Sequence, residues 1–524
     1  MQYENSNRAE GQDCGSVYGA AHRVNAVRAD SACDHVLPDY MGEVKKLLVT
    51  RSRPIPAGSY ERDGDCSFSG VVSTVALYSD RENRLCGAEF TSDYDFDVRL
   101  GARVSSMNVR SVISSSSLRV TGPRKLSFKC ALSSDVTAGE ESCVPYPENI
   151  DKLHAKRERI DRHVLMLTSG QEREYAEEGE RIEGIAPSDI EVIDSDAVIR
   201  IDGAYMESGS VTVKGVICAC GVLRVLGETV VHTEKEIPFE EIVAEAPGGA
   251  EPFVSAFGYV SSVSASVTEP TDQSDGICSS VVFSVSAVLG ARLDKNESFE
   301  VVTDAFAEGS DSRLTRKRLD YQELEDIAVC ECDLKIRSSD VAAGLFKEII
   351  YSDTEVEGVG YETLPDGVKI TGLCNVTLLM TGGGDEPFIS QRLSSPVEII
   401  LKPRTASRER LVISPEISIQ SVKTGLDVGG AYADVRLRAR ATVTSQHSIE
   451  CIESAEIIPR QSEGENTCIS VYYPDEGETL YDVCRRYRRD PRSVARENSI
   501  LIENENSLFD PELLSGVRSI IISN

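Results

Sequence analysis

The sequence predicts a mainly β chain: three tandem β-rich domains, antiparallel and sandwich- or barrel-like, followed by a small β-α-α-β unit. Three observations predict it. A strand–glycine–strand signature recurs at domain-sized intervals. Long stretches alternate apolar and polar residues with a period of two. Near the C-terminus the pattern changes to short helical stripes between two short strands.

Length sets the frame. At roughly 150 residues per domain, three or four domains are expected from 524 residues, each long enough to bury its own core. Hydrophobic residues make up 40% and charged residues 27%, the balance of a globular protein in water. No stretch approaches the ~18 apolar residues of a membrane span. The polar segment Met1 to Asp30, with Glu4, Glu10 and Asp13, lacks the apolar region of a secretory signal. The expectation is a cytoplasmic protein without membrane insertion. With 55 basic against 86 acidic residues, the formal charge is −31. A surface this acidic repels phosphate backbones, which argues against a nucleic-acid partner. The acid either keeps a large chain soluble or presents a face to a basic partner.

The repeat signature occurs three times. Its members are Cys66-Ser-Phe-Ser-Gly70-Val-Val, Val211-Thr-Val-Lys-Gly215-Val-Ile and Val368-Lys-Ile-Thr-Gly372-Leu-Cys. After each glycine comes a short alternating segment, anchored by Tyr94 and Phe96, by Ile237 and Phe239, and by Val397 and Ile399. A long alternating strand closes each copy. In the third copy Ala433, Val435, Leu437, Ala439, Ala441 and Val443 share one face, while Asp434, Arg436, Arg438 and Arg440 share the other. That is a half-buried antiparallel strand. The second copy aligns Val281, Phe283, Val285, Ala287 and Leu289, and the first aligns Leu126, Phe128, Cys130 and Leu132. A glycine inside a strand costs stability. It predicts a bulge or a close backbone approach in each copy, or a ligand pressed against that backbone. The Arg436/Arg438/Arg440 face is either solvated or meets an acidic partner or a neighbouring repeat.

Helical signals are few. Met41, Val44, Leu47 and Leu48, after Pro38-Asp39, have helical spacing over Tyr40–Leu48. Asp151 to Met166, within the charged Pro147–Glu183 stretch, could also be helical. The charged Glu308–Asp326 stretch is expected to separate the second and third repeats, and the polar Ser462–Asn466 stretch marks the last boundary. The division expected is 1–146 for the first repeat with a polar N-terminal tail, 147–315 for a charged linker and the second repeat, 316–465 for the third, and 466–524 for the terminal unit. In that unit Ile469–Tyr473 alternates as a strand. Thr479 caps a helix with the stripe Leu480, Val483, Cys484 and Tyr487. Asp490 caps a second helix with Pro491 at its first position and Asn498 at its end, and Leu514–Ile522 is a turn and a closing strand.

Reactive chemistry is not evident in the sequence. The fifteen cysteines include no C-x-x-C. The C-x-C pairs Cys218/Cys220 and Cys330/Cys332 suit one face of a strand better than a zinc claw. An odd count with irregular spacing argues for free, mostly buried thiols rather than a disulfide framework. Six histidines are scattered without an H-E-x-x-H arrangement. Gly382-Gly-Gly-Asp385 lacks the Lys-Ser/Thr of a phosphate loop and reads as a hairpin turn. The expectation is a protein with no catalytic residues, no metal and no cofactor; an enzyme of an unrecognised type is the remaining alternative.

The terminal unit resembles a LysM domain through Glu476-Gly-Glu-Thr-Leu-Tyr-Asp-Val483, Val494-Ala-Arg-Glu-Asn-Ser-Ile500 and Leu514-Ser-Gly-Val-Arg-Ser-Ile520. Leu501–Asp510 lengthens one loop, and Ser515 stands where the family usually has proline. The rest resembles the SPOCS domain of clostridial spore-coat proteins, in three copies. Leu37–Leu48, Val211–Gly215, Glu236-Ile-Pro-Phe239 and Val301-Val-Thr-Asp-Ala-Phe306 carry this resemblance. Together they imply a spore-coat morphogenetic scaffold in the mother cell at the forespore surface, with the coat-basement ATPase as protein partner. The alternative implied by LysM is binding of peptidoglycan or chitooligosaccharide, a GlcNAc-containing glycan. Carried over, the groove would comprise Gly477, Glu478, Thr479, Leu480, Asn498, Ser499 and Ile500. Each also has a structural explanation, with Gly477 for the turn, Thr479 as cap and Leu480 as core.

Overall fold

The computed structural model describes residues 19–100, 102–141, 144–147, 150–245, 251–269, 277–338, 346–382, 386–404, 410–459 and 469–523. Within these the chain is mainly β. One strand order is drawn three times. The first unit contains β1 (Gly19–Val36), β2 (Val44–Arg62), β3 (Asp65–Asp80), β4 (Leu85–Arg99), β5 (Val104–Gly122) and β6 (Lys125–Glu140). Its middle strands form the meander β2-β3-β4, while β1 and β5 flank β6 in a second sheet. After β7 (His154–Leu167) come β8 (Gln171–Glu183), β9 (Ile190–Glu207), β10 (Ser210–Val225), β11 (Thr229–Glu245), β12 (Phe253–Thr268) and β13 (Cys278–Phe306). Here β9-β10-β11 is the meander, and β8 and β12 flank β13. Then come β14 (Asp311–Arg337), β15 (Phe346–Leu364), β16 (Gly367–Gly382), β17 (Phe388–Leu401), β18 (Leu411–Asp427) and β19 (Gly430–Ile458), with meander β15-β16-β17 and β19 between β14 and β18.

Each unit buries a core between its two sheets. In the third, Ile370, Val376 and Leu378 of the meander meet Val435, Leu437 and Ala439 of β19, the apolar face that alternation predicts. The corresponding cores hold Phe68, Phe96 and Phe128 in the first unit, and Ile217, Phe239 and Phe283 in the second. Two sheets packed face to face over alternating residues are a sandwich. The sheet edges also lie side by side, β2 against β5, β9 against β12 and β15 against β18, without ladder pairing. The repeat glycines sit at register shifts, between Pro56 and Gly58 opposite Gly70, at Lys214/Gly215, and between Glu357 and Gly360 opposite Gly372. Gly70 pairs with Tyr94 and Gly215 with Phe239 across the ladder. A Cβ at Gly70 would stand 2.5 Å from the Tyr94 ring, and one at Gly215 2.2 Å from the Arg200 carbonyl oxygen. Bulge and close approach therefore coincide at Gly70 and Gly215, whereas at Gly372 the bulge stands alone, a Cβ there meeting nothing nearer than 3.4 Å.

Three expectations are corrected. Tyr40–Leu48 is not a helix, because β2 starts at Val44. Register shifts at Val44/Lys46 and Leu47/Val49 insert two bulges within six residues, which stretches a period of two into spacing that imitates a helix. Asp151–Met166 is one 3-10 turn, Ile150–Lys152, followed by β7. Glu308–Asp326 lies largely inside β14 rather than in a linker. These charged runs form two antiparallel arms. β7 pairs with the second half of β13, and the first half of β14 pairs with the second half of β19. Cross-strand pairs such as Arg157–Glu300 at 3.6 Å and Lys317–Glu453 at 3.4 Å lie at partly exposed positions. The arms pack on one another through two buried clusters, one with Val302 and Ile452, the other with Val301, Leu319 and Cys451. Ser462–Asn466 and Gly383 to Asp385, expected as a boundary and a turn, lie outside the described residues; β16 and β17 on either side of the latter pair antiparallel.

Beyond the arms, β20 (Ile469–Tyr472), α1 (Leu480–Tyr487), α2 (Pro491–Glu497) and β21 (Ile520–Ser523) follow in order, with β20 antiparallel to β21.

Candidate functional site

The three meanders converge. Leu77, Val222 and Leu379, each seven residues past its repeat glycine, share one buried cluster with Val49 and Tyr351. Beside it lies a charged centre assembled from all three units. Arg51 donates to both Asp194 oxygens, at 2.8 and 3.0 Å, and to the Tyr351 hydroxyl at 3.3 Å. Arg53 binds Asp196 through both terminal nitrogens and reaches Asp353 at 3.2 Å. Remaining donors find the carbonyls of Ser195 and Ala197. Burial pushes the Asp194 carboxyl up, and the Arg51 fork pulls against it through a short, bidentate, charge-assisted pair. Arg51, Asp196 and Asp353 hold one position, opposite the residue five past Gly70, Gly215 and Gly372. Sequence reading missed this centre. The signal available was opposite charge at equivalent repeat positions.

Outer contacts close the ring pairwise. Lys46 meets Glu386 at 2.8 Å, Arg224 donates to the Leu85 carbonyl at 3.0 Å, and Arg438 donates to the carbonyls of Ile201 and Asp202, each at 3.2 Å. The arginine face of β19 is thus divided. Arg436 pairs with Asp333 on its own sheet at 2.8 Å, Arg438 pairs with Glu331 on its own sheet at 2.8 Å as well as reaching the second unit, and Arg440 faces the second unit, 3.7 Å from Asp294.

The C-terminal module is tied to the tips of the arms. Tyr481 packs edge-on against Phe306 at 5.3 Å and donates to the His154 carbonyl at 3.2 Å. Arg485 pairs with Asp304 at 2.6 Å, and the Gly309 amide donates to the Arg488 carbonyl at 2.9 Å. Within the module the expected caps are present. The Thr479 hydroxyl accepts from the Asp482 amide and the Asp482 side chain accepts from the Thr479 amide, a capping box. Asp490 accepts from Arg492 and Ser493 amides ahead of Pro491.

The seven groove residues are placed as follows. Leu480 is fully buried. The Tyr472 hydroxyl donates to the Glu478 carboxylate, 2.9 and 2.7 Å from its two oxygens, and Glu478 pairs with Arg486 at 3.0 Å. Asn498 clamps β21, accepting from the Ile521 amide at 2.6 Å and donating to its carbonyl at 2.7 Å. Gly477 takes φ +83° and has open space where a Cβ would stand. Ser499, with φ +57°, and Ile500 line one end of a pocket of about 730 Å³ between α2 and Leu501–Leu508, rimmed by Arg492 and Arg496. The lengthened loop forms its far wall. Outside, the β20–β21 ribbon shows an apolar face: Ile469 is 72% exposed, Val471 53%, Tyr473 68% and Ile521 46%.

Twelve cysteines are described, all free, five of them buried and seven only part-buried. The thiols are thus less buried than expected. Burial pushes Cys130 and Cys374 up to about 11 and Cys484 up to about 12, away from thiolate reactivity. Burial, aided by Glu357, raises Glu355 to about 7, and Arg392 bridges both carboxylates at 2.9 and 2.8 Å. Glu323, Glu325 and His447 bring donor atoms within 4.8 Å of one another, with the His447 Nε2 held 2.8 Å from the Ser445 hydroxyl. No described helix is long and apolar enough to cross a membrane. Among known proteins, no family model, no curated protein and no solved structure matches the chain.

Proposed function

We propose that the protein is a non-enzymatic assembly scaffold of the SPOCS–LysM kind, working in the spore coat at the forespore surface of the mother cell. Three SPOCS-type units form its ring, and the LysM-type module docks a protein partner, the coat-basement ATPase. One observation carries the preference for protein over glycan. Glu478, Thr479, Leu480 and Asn498 of the supposed groove are engaged in the module's own fold, while the ribbon turns Ile469, Val471, Tyr473 and Ile521 outward. An exposed apolar face with an aromatic at its end suits a protein surface. The second reading, a GlcNAc-containing glycan, is favoured by the pocket that Ser499 and Ile500 share with α2.

The full chain separates the two, because the module packs on the arms and is best measured there. It is titrated against chitooligosaccharide and against the purified ATPase, with Val471→Glu/Ile521→Glu as the second protein. ATPase binding that disappears in the double variant supports the scaffold. Saturable sugar binding with no ATPase binding in either protein overturns it in favour of the glycan.

A further inference from the structure

A second junction of the three units lies on the other sheets. Arg23 comes from β1, Arg292 from β13 and Arg440 from β19, one from each unit. Around them stand Arg110 of β5, Asp294 of β13 and Glu416 of β18. Asp294, fully buried, accepts from Arg292 Nε at 2.6 Å and Nη2 at 2.7 Å, and lies 2.8 Å from His163 Nε2. Glu416 accepts from Arg110 at 2.7 Å. Two guanidinium groups therefore have matched carboxylates and two do not. The Arg440 Nη2 nitrogen is buried without a hydrogen-bond partner and stands 3.7 Å from Asp294, too far for a hydrogen bond. Arg23 makes no ion pair among the described residues, although it lies within the field of Arg292, Asp294, Glu416 and Arg440.

Like charges gathered away from water repel and lose hydration, and each needs an opposite charge to be stable. Burial and the neighbouring arginines depress Arg23 to about 9 and lower Arg440 as well. The surplus is local, since the chain as a whole carries −31, and part of the rim is open: the Arg440 side chain is 17% and that of Arg292 12% exposed. We propose that Arg23, Arg292 and Arg440 form a binding site for a small, doubly charged oxyanion of the phosphate class where the three units meet. Guanidinium forks match tetrahedral oxyanions in geometry and charge, and two negative charges equal the two unmatched arginines. Such an anion ties all three units together, because each contributes one ligand.

The test is thermal melting of the full chain in sodium chloride, sodium sulfate or sodium phosphate at equal ionic strength, with glycerol phosphate as a further arm. A saturable rise in melting temperature with sulfate and phosphate, absent in chloride, is expected. The rise disappears in Arg440→Gln and in Arg23→Gln, while both variants melt in chloride at or above the temperature of the parent, because each removes an unmatched charge. A response to glycerol phosphate as well supports a site open to phosphomonoesters, and a response to inorganic anions alone supports an enclosed one. A parent that responds equally to chloride and sulfate overturns the proposal. So do variants that keep the sulfate response, or that melt lower than the parent in chloride.

Discussion

The two junctions of the ring are built from the same side-chain types and differ in how they are satisfied. At the meander junction Arg51 and Arg53 face Asp194, Asp196 and Asp353, and every guanidinium has carboxylate and carbonyl acceptors. At the other, Arg440 Nη2 has no acceptor and Arg23 no counter-ion among the described residues. The first junction is complete within the chain. The second is complete only with something added. The contrast separates a structural ion cluster from a binding one: the former is recognised by closed hydrogen bonding, the latter by charge left over in a buried place.

The largest effect is expected at the closed junction. Arg51→Met leaves Asp194 buried and unpaired and costs about 3–5 kcal/mol, measured by denaturant unfolding. Adding Asp194→Leu to it recovers much of the loss, because removing both partners is far less costly than removing one. If Arg51→Met is neutral, the centre does not hold the ring. At the open junction Asp294→Asn costs less, about 2–3 kcal/mol, through the hydrogen bonds of Arg292 and His163. Its pH dependence has a definite sign. Burial opposes the Asp294 charge, but Arg292 and His163 hold its pKa well below the usual carboxylate value. Its contribution is then fully present above the unfolded value of about 4 and is lost as pH falls below it. Asn at this position removes that acid limb, so the stability of the variant falls less steeply between about pH 4 and 2. Parallel acid curves for the two proteins would show that Asp294 is not held down.

How much of this was legible follows from distance along the chain. Period-two faces such as Ala433 to Val443, and caps such as Thr479 and Asp490, are written in adjacent residues, so alternation and spacing display them. The bulges beside Val44 and Leu47 were not, because a bulge is defined by the partner strand and locally mimics helical spacing. The arms were obscured by charge: Arg157 and Lys317 stand across the ladder from buried Val302 and Cys451, which belong to strands distant in sequence. Arg51 and Asp194 lie 143 residues apart, and only superposing the repeats on their glycines brings them into register. Of the groove residues, Thr479 and Leu480 have the capping and core roles that their positions suggested, while the role of Asn498 depends on Ile521 across the module.

The smaller effects sharpen the contrast from the other side. Arg440→Gln in chloride changes stability by less than about 1 kcal/mol and in the stabilising direction, since it relieves repulsion from Arg292 without breaking a hydrogen bond. Arg51→Met is its control: the same class of residue at a junction of the same three units, with the opposite outcome because Arg51 has acceptors. The ribbon variant Val471→Glu/Ile521→Glu is expected to change stability least, within about 0.5 kcal/mol for each site, because exposed positions away from caps and cores are tolerant. Its expected consequence is confined to binding. Circular dichroism and melting unchanged from the parent, with partner affinity lost, place the docking surface on the ribbon. A loss of stability instead assigns Val471 and Ile521 to the module's own packing, and the ribbon face would then resemble the closed junction rather than the open one.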